Sequence, residues 1–404
     1  MLKKYFITLF FFSSALLAQQ QRDTSITIEQ ILSLPEDNID IGLADLVLAK
    51  DFYPTLNIDY FLYCFGYMVE RYKEYYGGIT DPDKRVRALN TYLYKKGRWN
   101  DSISFGYDDD DLGVTKLSNK FINGYIATKK GSCITLPMMY VILGERLGYP
   151  IFVSRLPYHF FIRYVPERRT AKFQENIEAT NGGGFASNKQ YQKDFKVPDK
   201  AIKNGVYLRT LTKKGYIASL LLVNSNEWLA RKNYEKAKYY LELIFKYDTT
   251  FSSAYRNYAS LHFVEAKQLE EKMWQEKQDE IAYYNLSTNK VSYSSTPTQQ
   301  QPNLPQPNYD MFRSPLIDNQ TKTIQPKQAP QPEQRVSQSP VNNDLSISLA
   351  NIETKYAPQI LADLDVYHRF KKNAEDLGIV NDYPMIFFQN KSLELKEFQK
   401  IGAK

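Results

Sequence analysis

Apolar residues recur at three- and four-residue spacing through most of the first hundred positions. The stretches LADLVLAKDF and DYFLYCFGYMVERYKEYY follow this period, which is typical of amphipathic helices. Ser25 and Thr27, ahead of IEQIL, are suited to cap a helix, and Asp81-Pro82 is a typical helix start. The pattern therefore predicts a helical region over residues 24–98.

Beyond residue 130, a helical run is followed by short β-like runs. ITLPMMYVILGERLG keeps the helical spacing, with Pro137 in its first turns, where a missing N–H does least harm. After Gly148-Tyr149-Pro150, the runs IFVSRL, FFIRYV and FQENIEAT are short and rich in aromatic and β-branched residues, which predicts strands. TNGGG at 180–184 predicts a loop.

Residues 217–263 return to a helical pattern with an internal repeat. When Ala237 is set at the twentieth position of a unit of about 34 residues, the small residues Ser225 and Ala259 fall where two helices must approach closely. This pattern resembles a tetratricopeptide repeat, although Thr249 stands where that repeat usually has proline. One unit and the first helix of a second rarely bury a core alone, so we expect them to pack on neighbouring helices.

Composition divides the remainder of the chain. Residues 286–343 are rich in Gln, Pro, Ser, Asn and Thr and cannot bury enough apolar surface to offset chain entropy, which predicts a disordered linker. Residues 344–376 predict a helix that is broken near Pro358 and ended by Gly378. SLELKEFQKIG predicts a last helix within the C-terminal segment, 344–404.

The first residues, MLKKYFITLFFFSSALLA, have the pattern of a signal peptide. Their apolar run of about 13 residues is too short to span the hydrocarbon core of a bilayer. We therefore expect an exported bacterial protein, periplasmic or extracellular, with no transmembrane helix after cleavage; an uncleaved N-terminal anchor is the alternative. The net charge of +7 comes from basic residues interspersed with acids, which does not indicate binding to nucleic acid.

The segment GSCITLPMM places Cys133, one of 2 cysteines in the chain, at a predicted helix start. Ser132 is a suitable N-cap, and Gly131 allows a sharp turn and the approach of a substrate. The unpaired N–H groups of a helix N-terminus stabilise a thiolate, which favours a nucleophile. A Cys64–Cys133 disulfide is the alternative outside the cytoplasm, although the apolar context of Cys64 favours a buried thiol.

A cysteine nucleophile needs a base, and the chain has 3 histidines. His262 falls at a repeat packing position and His368 in a charged helix, which leaves His159 on a predicted strand. If VPERRTAK at 165–172 is a symmetric loop, the strands pair so that His159 faces Glu178. The carboxylate would then accept the Nδ1–H and leave Nε2 for the thiol. The same register places a set of apolar side chains on the other face: Phe160, Ile162, Tyr164, Phe173 and Ile177.

Three asparagines are candidates for a supporting role. Asn119 or Asn123, together with the Cys133 backbone N–H, could donate to an oxyanion, although structural capping is the alternative for both side chains. Asn176 is a second candidate to orient the imidazole, but in the register above it faces Phe161.

The acidic run in SISFGYDDDDLG is the strongest metal-like pattern in the chain. It lacks the alternate ligand spacing, the glycine and the later glutamate of a calcium loop, so we expect a solvated loop at 108–111. The sequence has no phosphate-binding loop and no zinc pattern. It therefore predicts neither a metal nor a cofactor.

The ordered set of GSC, LGYP at 147–150, a strand histidine and NIEAT resembles the transglutaminase-like superfamily, which has a papain-like Cys–His–acid arrangement. SNKFINGYIATKKG and LADLVLAKDFYPTLNIDYFL resemble one bacterial branch with a helical N-terminal part and a tetratricopeptide tail. The resemblance covers about residues 28–265. It implies an α+β fold, with the cysteine helix packed on an antiparallel sheet and a helical repeat-like segment after it. It also implies Cys133 as nucleophile, His159 as base and Glu178 as orienting acid.

Two features depart from the family pattern. Many members of this branch have proline at the cysteine position, whereas this sequence keeps Cys133. The wider superfamily usually has Asp where this chain has Glu178, whose extra methylene changes the reach to the imidazole.

The sequence as a whole predicts five segments. They are a signal peptide at 1–18, a transglutaminase-like domain with a helical N-terminal part at 24–212, a repeat-like helical segment at 213–285, the linker at 286–343 and a C-terminal helical segment at 344–404.

The retained Cys–His–acid set favours an exported thiol enzyme, a cysteine protease, amidase or acyltransferase. It would cleave or transfer an amide or peptide acyl group of a peptide or protein substrate, with water or an amine as acceptor. The alternative function is a catalytically inactive scaffold that binds protein partners through the repeat-like helices and the linker.

Overall fold

The computed structural model describes three stretches of the chain: residues 26–166, 176–289 and 340–378. They form two compact units. The first contains the described residues up to Val264 and those from Leu364 onward, and the second runs from Glu265 to Asp363. The sheet and the residues of the candidate site belong to the first unit.

Four helices form the N-terminal part of the first unit: α1 (Ile28–Ser33), α2 (Ile41–Ala49), α3 (Ile58–Tyr76) and α4 (Pro82–Tyr94). Their starts follow the capping chemistry of the sequence. Thr27 accepts a hydrogen bond from the Gln30 N–H in a capping box, and Asp81 accepts from Lys84 just before Pro82. Their apolar faces join one continuous core, so the helical spacing correctly predicted this region.

Two short parallel strands position the cysteine segment. β1 (Gly106–Tyr107) pairs with β2 (Lys130–Gly131), and α5 (Ile122–Thr128) lies between them in the chain. The largely buried α6 (Thr135–Leu147) follows. The apolar spacing predicted α6 but not β1 or β2, because two residues are too few to show an alternation.

A four-stranded antiparallel sheet, in the order β3–β4–β5–β6, packs on α6. Its strands are β3 (Ile151–Leu156), β4 (His159–Tyr164), β5 (Asn176–Glu178) and β6 (Gly184–Ala186). One face contributes Ile162, Tyr164 and Ile177 to the core that α6 shares with the N-terminal helices, and Phe160 packs against it. These four residues lie on the face that the sequence predicted.

The opposite face of the sheet lies under a smaller apolar cluster. α7 (Asn188–Asp194) and α8 (Asp199–Lys203) cover it, and Tyr191 packs there with Phe161 and Leu156 of the sheet. The fold is therefore a mixed one, mainly helical with a small antiparallel sheet, and consistent with a transglutaminase-like core.

The register of β4 and β5 differs from the predicted one by two residues. Ile162 lies opposite Ile177, and Arg163 lies opposite Asn176, so the expected pairing of Asn176 with Phe161 is wrong. A shift of two residues leaves every side chain on its original face of a sheet, because side chains alternate with a period of two. The candidate base and acid therefore stay on one face, as diagonal instead of direct neighbours.

A 3₁₀ turn and a strand occupy the segment that was predicted as a loop at 180–184. The turn spans Ala179–Asn181, and β6 begins at Gly184. Gly183 has φ +79°, and a Cβ at this position would lie 2.0 Å from the Asn90 side chain. Asn90 also donates to the Gly183 carbonyl at 2.9 Å, so only glycine fits this approach.

Three longer helices come after α8 in the chain. They are α9 (Lys213–Ala230), α10 (Tyr234–Tyr247) and α11 (Ser252–Asn289), which enters the second unit after Val264. α9 and α10 approach closely where the sequence predicted small residues. The buried Ser225 hydroxyl donates to the Ala237 carbonyl at 3.0 Å. The helical pairing is thus present, while the assignment to the tetratricopeptide family stays a prediction.

The second unit consists of the outer part of α11 and the first part of α12 (Pro340–Asp376). Opposite charges join the two helices: Lys355 pairs with Glu276 at 2.8 Å, and Lys277 pairs with Glu353. The Tyr356 hydroxyl also donates to Glu276 at 2.7 Å. Polar contacts thus join the two helices of this unit, and Ile352 and Ile360 of α12 are buried within the same range.

Both ends of the predicted linker are helical. α11 continues to Asn289, where the Ser287 and Thr288 hydroxyls donate to the Tyr284 carbonyl at 2.8 and 2.9 Å. α12 begins at Pro340, because proline is well tolerated at the first position of a helix. The remainder of the predicted linker lies outside the described residues.

The predicted break in the C-terminal helix is wrong. α12 runs through Pro358 without ending there, although a proline in a helix interior lacks the N–H donor and crowds the carbonyl four residues earlier. The predicted end is correct: the helix stops at Asp376, and Gly378 follows with φ +107°.

Several predicted features lie outside the described residues: the signal peptide at 1–18, Phe173 with most of the loop at 165–172, and the last helix, SLELKEFQKIG. Among the residues that are described, no helix combines the length and apolar character needed to cross a membrane.

A buried ion pair joins the sheet to the helices that follow it. Arg155 of β3 donates to Asp248 Oδ2 at 2.7 Å and to the Val206 carbonyl at 2.8 Å. Asp248, just after α10, also pairs with Arg209 at 2.8 Å. Burial alone would raise the pKa of Asp248, but Arg155, Thr250 and Arg209 hold it below its ordinary value. Each buried charge is therefore compensated within the interior.

Asp248→Ala should lower the free energy of unfolding by about 3 kcal/mol, because it removes the partner of a buried arginine. The depressed pKa of Asp248 means that its contribution is fully present above the unfolded pKa of about 3.9 and is lost as the pH falls through the folded pKa. Urea denaturation at neutral and acidic pH measures both effects. Glu70→Ala breaks an exposed pair with Lys73 and should change stability little; equal losses from the two substitutions would contradict this assignment.

Candidate active site

Cys133 lies in the turn that leads into α6, two residues before Thr135. The Leu136 N–H donates to the Ser132 carbonyl at 3.0 Å, which closes a helical turn around the cysteine. The Ser132 hydroxyl accepts from the Ile134 N–H, also at 3.0 Å. Cys133 therefore lies just before the helix, as predicted, but the N-cap residue is Ile134 and not Ser132.

The residues before the cysteine are fixed by close packing. A Cβ on Gly131 would lie 2.3 Å from the Thr135 hydroxyl and 2.6 Å from the Tyr125 ring. The Ser132 hydroxyl donates to the Asn119 carbonyl at 2.6 Å. Only glycine fits at position 131, because neighbouring side chains fill the space around it. From the sequence, this space was expected to admit a substrate.

The Cys133 thiol faces the tight turn between β3 and β4. Pro157 and Tyr158 form this two-residue turn, because Leu156 pairs with His159. Tyr158 has φ +57°, a backbone conformation that side-chain-bearing residues adopt infrequently. Its carbonyl accepts from the Cys133 thiol, with Sγ and O separated by 3.7 Å. The turn therefore places the start of β4 beside the cysteine.

His159, the first residue of β4, and Glu178, the last of β5, are both buried and form a direct pair. The distance between His159 Nε2 and Glu178 Oε2 is 2.8 Å. An ionised carboxylate only accepts hydrogen bonds, so the imidazole is the donor. The imidazole also stacks on the Phe195 ring, with centroids 5.2 Å apart. The longer side chain of glutamate thus spans the diagonal between the two strands.

Three further hydrogen bonds hold the Glu178 carboxylate. Oε1 accepts from the Thr180 N–H at 3.1 Å and from the Thr180 hydroxyl at 2.6 Å. Oε2 accepts from the Tyr191 hydroxyl at 2.9 Å. A carboxylate that is taken out of water requires such compensation, so these donors are part of the site.

The surroundings of His159 favour its charged form. Burial alone would lower the pKa of His159, but the charge of Glu178 and the proximity of Cys133 raise it to about 10. An imidazolium beside a sulfur atom stabilises a thiolate. The site is therefore suited to a thiolate–imidazolium pair.

The two ring nitrogens have the opposite roles to those predicted. The sequence assigned Nδ1 to the carboxylate, whereas Nε2 of His159 binds Glu178. Nδ1 has no hydrogen-bond partner among the described residues. Glu178 thus reaches Nε2 from a diagonal position on the neighbouring strand.

Cys133 and His159 line the same cavity, which has a volume of about 260 Å³. The cavity wall is mostly apolar and includes the charged side chains of Lys120 and Glu227. An apolar pocket with a few polar groups is typical of small-molecule and side-chain binding sites. Part of the wall comes from α9, outside the sheet and the cysteine helix.

The acidic run is an ordered cluster and not a solvated loop. Asp108 and Asp111 are buried, although Asp109 and Asp110 are exposed. The Asn119 amide donates to Asp108 Oδ2 at 2.8 Å and to Asp111 Oδ2 at 2.7 Å. Because both amide hydrogens of Asn119 are engaged, this arrangement does not support its predicted role as an oxyanion donor.

The other two asparagines do not line the cavity that contains Cys133. Asn123 is buried on α5, and its Oδ1 has no partner among the described residues; its oxyanion role stays a prediction. Asn176 accepts from Arg163 Nε at 3.1 Å and donates to Asn188 at 2.7 Å. Asn176 therefore takes part in a separate polar network and does not contact the imidazole.

Tyr107 is a neighbour of the site that the sequence did not indicate. It pairs with Gly131 across the two short strands, and its buried hydroxyl has no hydrogen-bond partner among the described residues. Burial, and then the charge of Cys133, raises the pKa of Tyr107 well above its ordinary value. The hydroxyl thus stays protonated and able to donate. Sequence reasoning missed Tyr107 because this residue directly precedes the acidic run, and no local pattern there indicates a contact with the cysteine.

The two cysteines of the chain are both free thiols. Cys64 lies on α3 and is partly buried, whereas Cys133 is buried at the start of α6. The structure therefore does not contain the disulfide that the sequence left as an alternative.

The cysteine, the histidine and the glutamate fall in one segment of the chain. Residues 66–210 match the family model of the transglutaminase-like superfamily. This match supports a transglutaminase-like domain across the sheet, α6 and the candidate site. The bacterial branch, the domain boundaries and the tetratricopeptide repeat stay predictions.

Two curated relatives, both named UPF0162 protein, come from the Temecula1 and 9a5c strains of Xylella fastidiosa. Each is 22% identical to this chain over 137 residues, which are 33% of this chain and 44% of the relative. The chain therefore spans less than half the length of the curated relatives it matches. No solved structure matches the chain significantly.

Glu178→Gln should lower the pKa of His159 by about one to three pH units, because it removes the charge that offsets burial. Nitrogen NMR of labelled histidine measures this directly, since the chain has 3 histidines. The exposed His368 provides a reference signal that should not change.

The raised pKa of His159 also has a consequence for stability. Its contribution to the free energy of unfolding should be full below the unfolded pKa of about 6.5 and lost as the pH rises through about 10. Denaturation of wild type and His159→Gln at pH 6 and pH 10 tests the sign. A difference that grows with pH, or a wild-type imidazole that titrates near pH 6.5, would contradict the assigned pairing.

Proposed function

We propose that the protein is an exported thiol enzyme that transfers an amide or peptide acyl group through Cys133. His159 acts as the base, and Glu178 orients it. The observation that carries this proposal is the buried His159–Glu178 hydrogen bond in the wall of the cavity that contains the Cys133 thiol. A nucleophile, a base and an orienting carboxylate are the groups that acyl transfer by a thiol requires.

In the first step, the Cys133 thiolate attacks the carbonyl carbon of the substrate, and the carbonyl oxygen takes the negative charge. The imidazolium of His159 then gives its Nδ1 proton to the leaving amine. Its Nε2–H stays on the ring and keeps the hydrogen bond to Glu178. The carbon–nitrogen bond breaks, the amine leaves, and the acyl group remains on sulfur as a thioester. The Tyr107 hydroxyl and the Cys133 backbone N–H are candidate donors to the oxyanion.

In the second step, water or an amine attacks the thioester. His159 Nδ1 takes the proton of the attacking group, the carbon–sulfur bond breaks, and Cys133 leaves as a thiolate beside the renewed imidazolium. The product is a carboxylic acid if water attacks and a new amide if an amine attacks. The substrate is a peptide or protein, of which the cavity admits one side chain or chain end at a time.

The proposal keeps two further expectations from the sequence. Export rests on the N-terminal pattern of charge and apolar residues, and a protein partner would bind through the repeat-like helices α9 to α11. Neither expectation is needed for the chemistry at Cys133.

Second-order labelling with iodoacetamide, in a Cys64→Ser background, measures thiolate reactivity at Cys133. At pH 6 the labelling rate of His159→Ala should fall by about a hundredfold, because an unassisted thiol is almost wholly protonated at this pH. Glu178→Gln should cost about tenfold, and the double substitution should be barely slower than His159→Ala, since the residues act as a unit. The differences should vanish near pH 10.

Asn176→Ala serves as the control, because Asn176 bonds to Arg163 and Asn188 and not to the imidazole. It should leave the labelling rate at pH 6 unchanged. If His159→Ala labels as fast as wild type at pH 6, Cys133 is a passive thiol and the alternative function, an inactive scaffold, takes the place of this proposal.

A further inference from the structure

We propose that Lys120 and Glu227 select substrates that carry a carboxylate near the acyl group, with Lys120 as the group that binds the carboxylate. This inference rests on the proposed function of Cys133 and names the substrate class of the same cavity. It depends on the geometry and charge of side chains that line the cavity. Two of these side chains, Asn226 and Glu227, lie outside the segment that matches the superfamily.

Lys120 is held in the cavity wall by Glu227. Its ammonium donates to Glu227 Oε1, and the two side chains are 14% and 10% exposed. An ammonium has three N–H donors, and Glu227 is the single partner of Lys120 among the described residues. The remaining donors of a nearly buried cation are therefore available to a ligand in the cavity.

Two carboxylates near the cavity are each shared by two cations. Glu227 accepts from Lys120 and, through Oε2, from Arg231 at 2.6 Å. Asp248 pairs with Arg155, another residue of the wall, at 2.7 Å and with Arg209 at 2.8 Å. Each of the two clusters thus has one more positive than negative charge.

The cavity therefore attracts anions and disfavours cations. Its wall contains Lys120, Arg155 and His159 as basic side chains and Glu227 as an acidic one. The remainder of the wall is mostly apolar, and charge recognition is stronger beside apolar surface than in open water. The volume of about 260 Å³ suits a short acidic side chain or a chain end beside the thiol.

The Asn226 side chain adds a second polar group to the same wall. Its Oδ1 accepts from Asn257 at 2.7 Å, which leaves its N–H₂ group without a partner among the described residues. Asn226 and Glu227 both belong to α9, whereas the superfamily match ends at residue 210. Part of the proposed selection surface thus belongs to α9, beyond the matched segment, whereas Lys120 lies within it.

The test compares two alkylating reagents of similar size, the anionic iodoacetate and the neutral iodoacetamide, in a Cys64→Ser background. In both reactions the Cys133 thiolate displaces iodide. The measured quantity is the ratio of the iodoacetate rate to the iodoacetamide rate. Lys120→Met should lower this ratio by about three- to tenfold, and Glu227→Gln should raise it by a similar factor, because the two substitutions change the cavity charge in opposite directions.

Two control variants accompany the test. Lys120→Arg keeps the charge and should keep the wild-type ratio, and Lys84→Met removes an exposed lysine of α4 and should not change it. A ratio that moves in the same direction for Lys120→Met and Glu227→Gln, or does not move, would overturn the inference and leave a structural ion pair. Failure of the proposed function is a separate result, since it appears as an iodoacetamide rate that does not depend on His159.

Discussion

The buried carboxylate of Glu178 is the constraint on which the candidate site depends. A carboxylate removed from water must be matched by donors, and three segments supply them: His159 from β4, Thr180 from the 3₁₀ turn and Tyr191 from α7. The strand register, the turn after β5 and the helix on the opposite face of the sheet must therefore all be correct together. Their common result is a fixed, charged imidazole beside Cys133.

The cavity beside the thiol is assembled from two parts of the chain. The superfamily match, residues 66–210, supplies the cysteine, the histidine and Lys120. α9 supplies Glu227, and the buried pair between Arg155 and Asp248 fastens the sheet to the helices that follow. Cys133 and His159 thus lie in the segment that matches the transglutaminase-like superfamily, while part of the cavity wall comes from helices after it. A segment that resembles a repeat can in this way contribute to the site as well as to packing.

His159 and Glu178 were correctly paired from the sequence even though the predicted register was wrong. His159 and Glu178 stayed on one face because the error was two residues, which is the period of a strand. An error of one residue would have separated them. The ring nitrogen that meets the carboxylate was predicted incorrectly, because Nε2 and not Nδ1 of His159 binds Glu178. The acidic run was also misjudged, because the partner of Asp108 and Asp111, Asn119, follows in a later segment.

The sequence by itself determined the features that are local. Apolar spacing and capping residues determined most of the helices, the cysteine at a helix start and the end of α12 near Gly378. Local patterns work there because helix periodicity and caps involve residues within about four positions of one another. Only the tertiary structure decided the strand register, the burial of the acidic cluster and the pairing of Lys120 with Glu227, which are 107 positions apart. Such contacts depend on how distant segments pack, and no spacing along the chain encodes them.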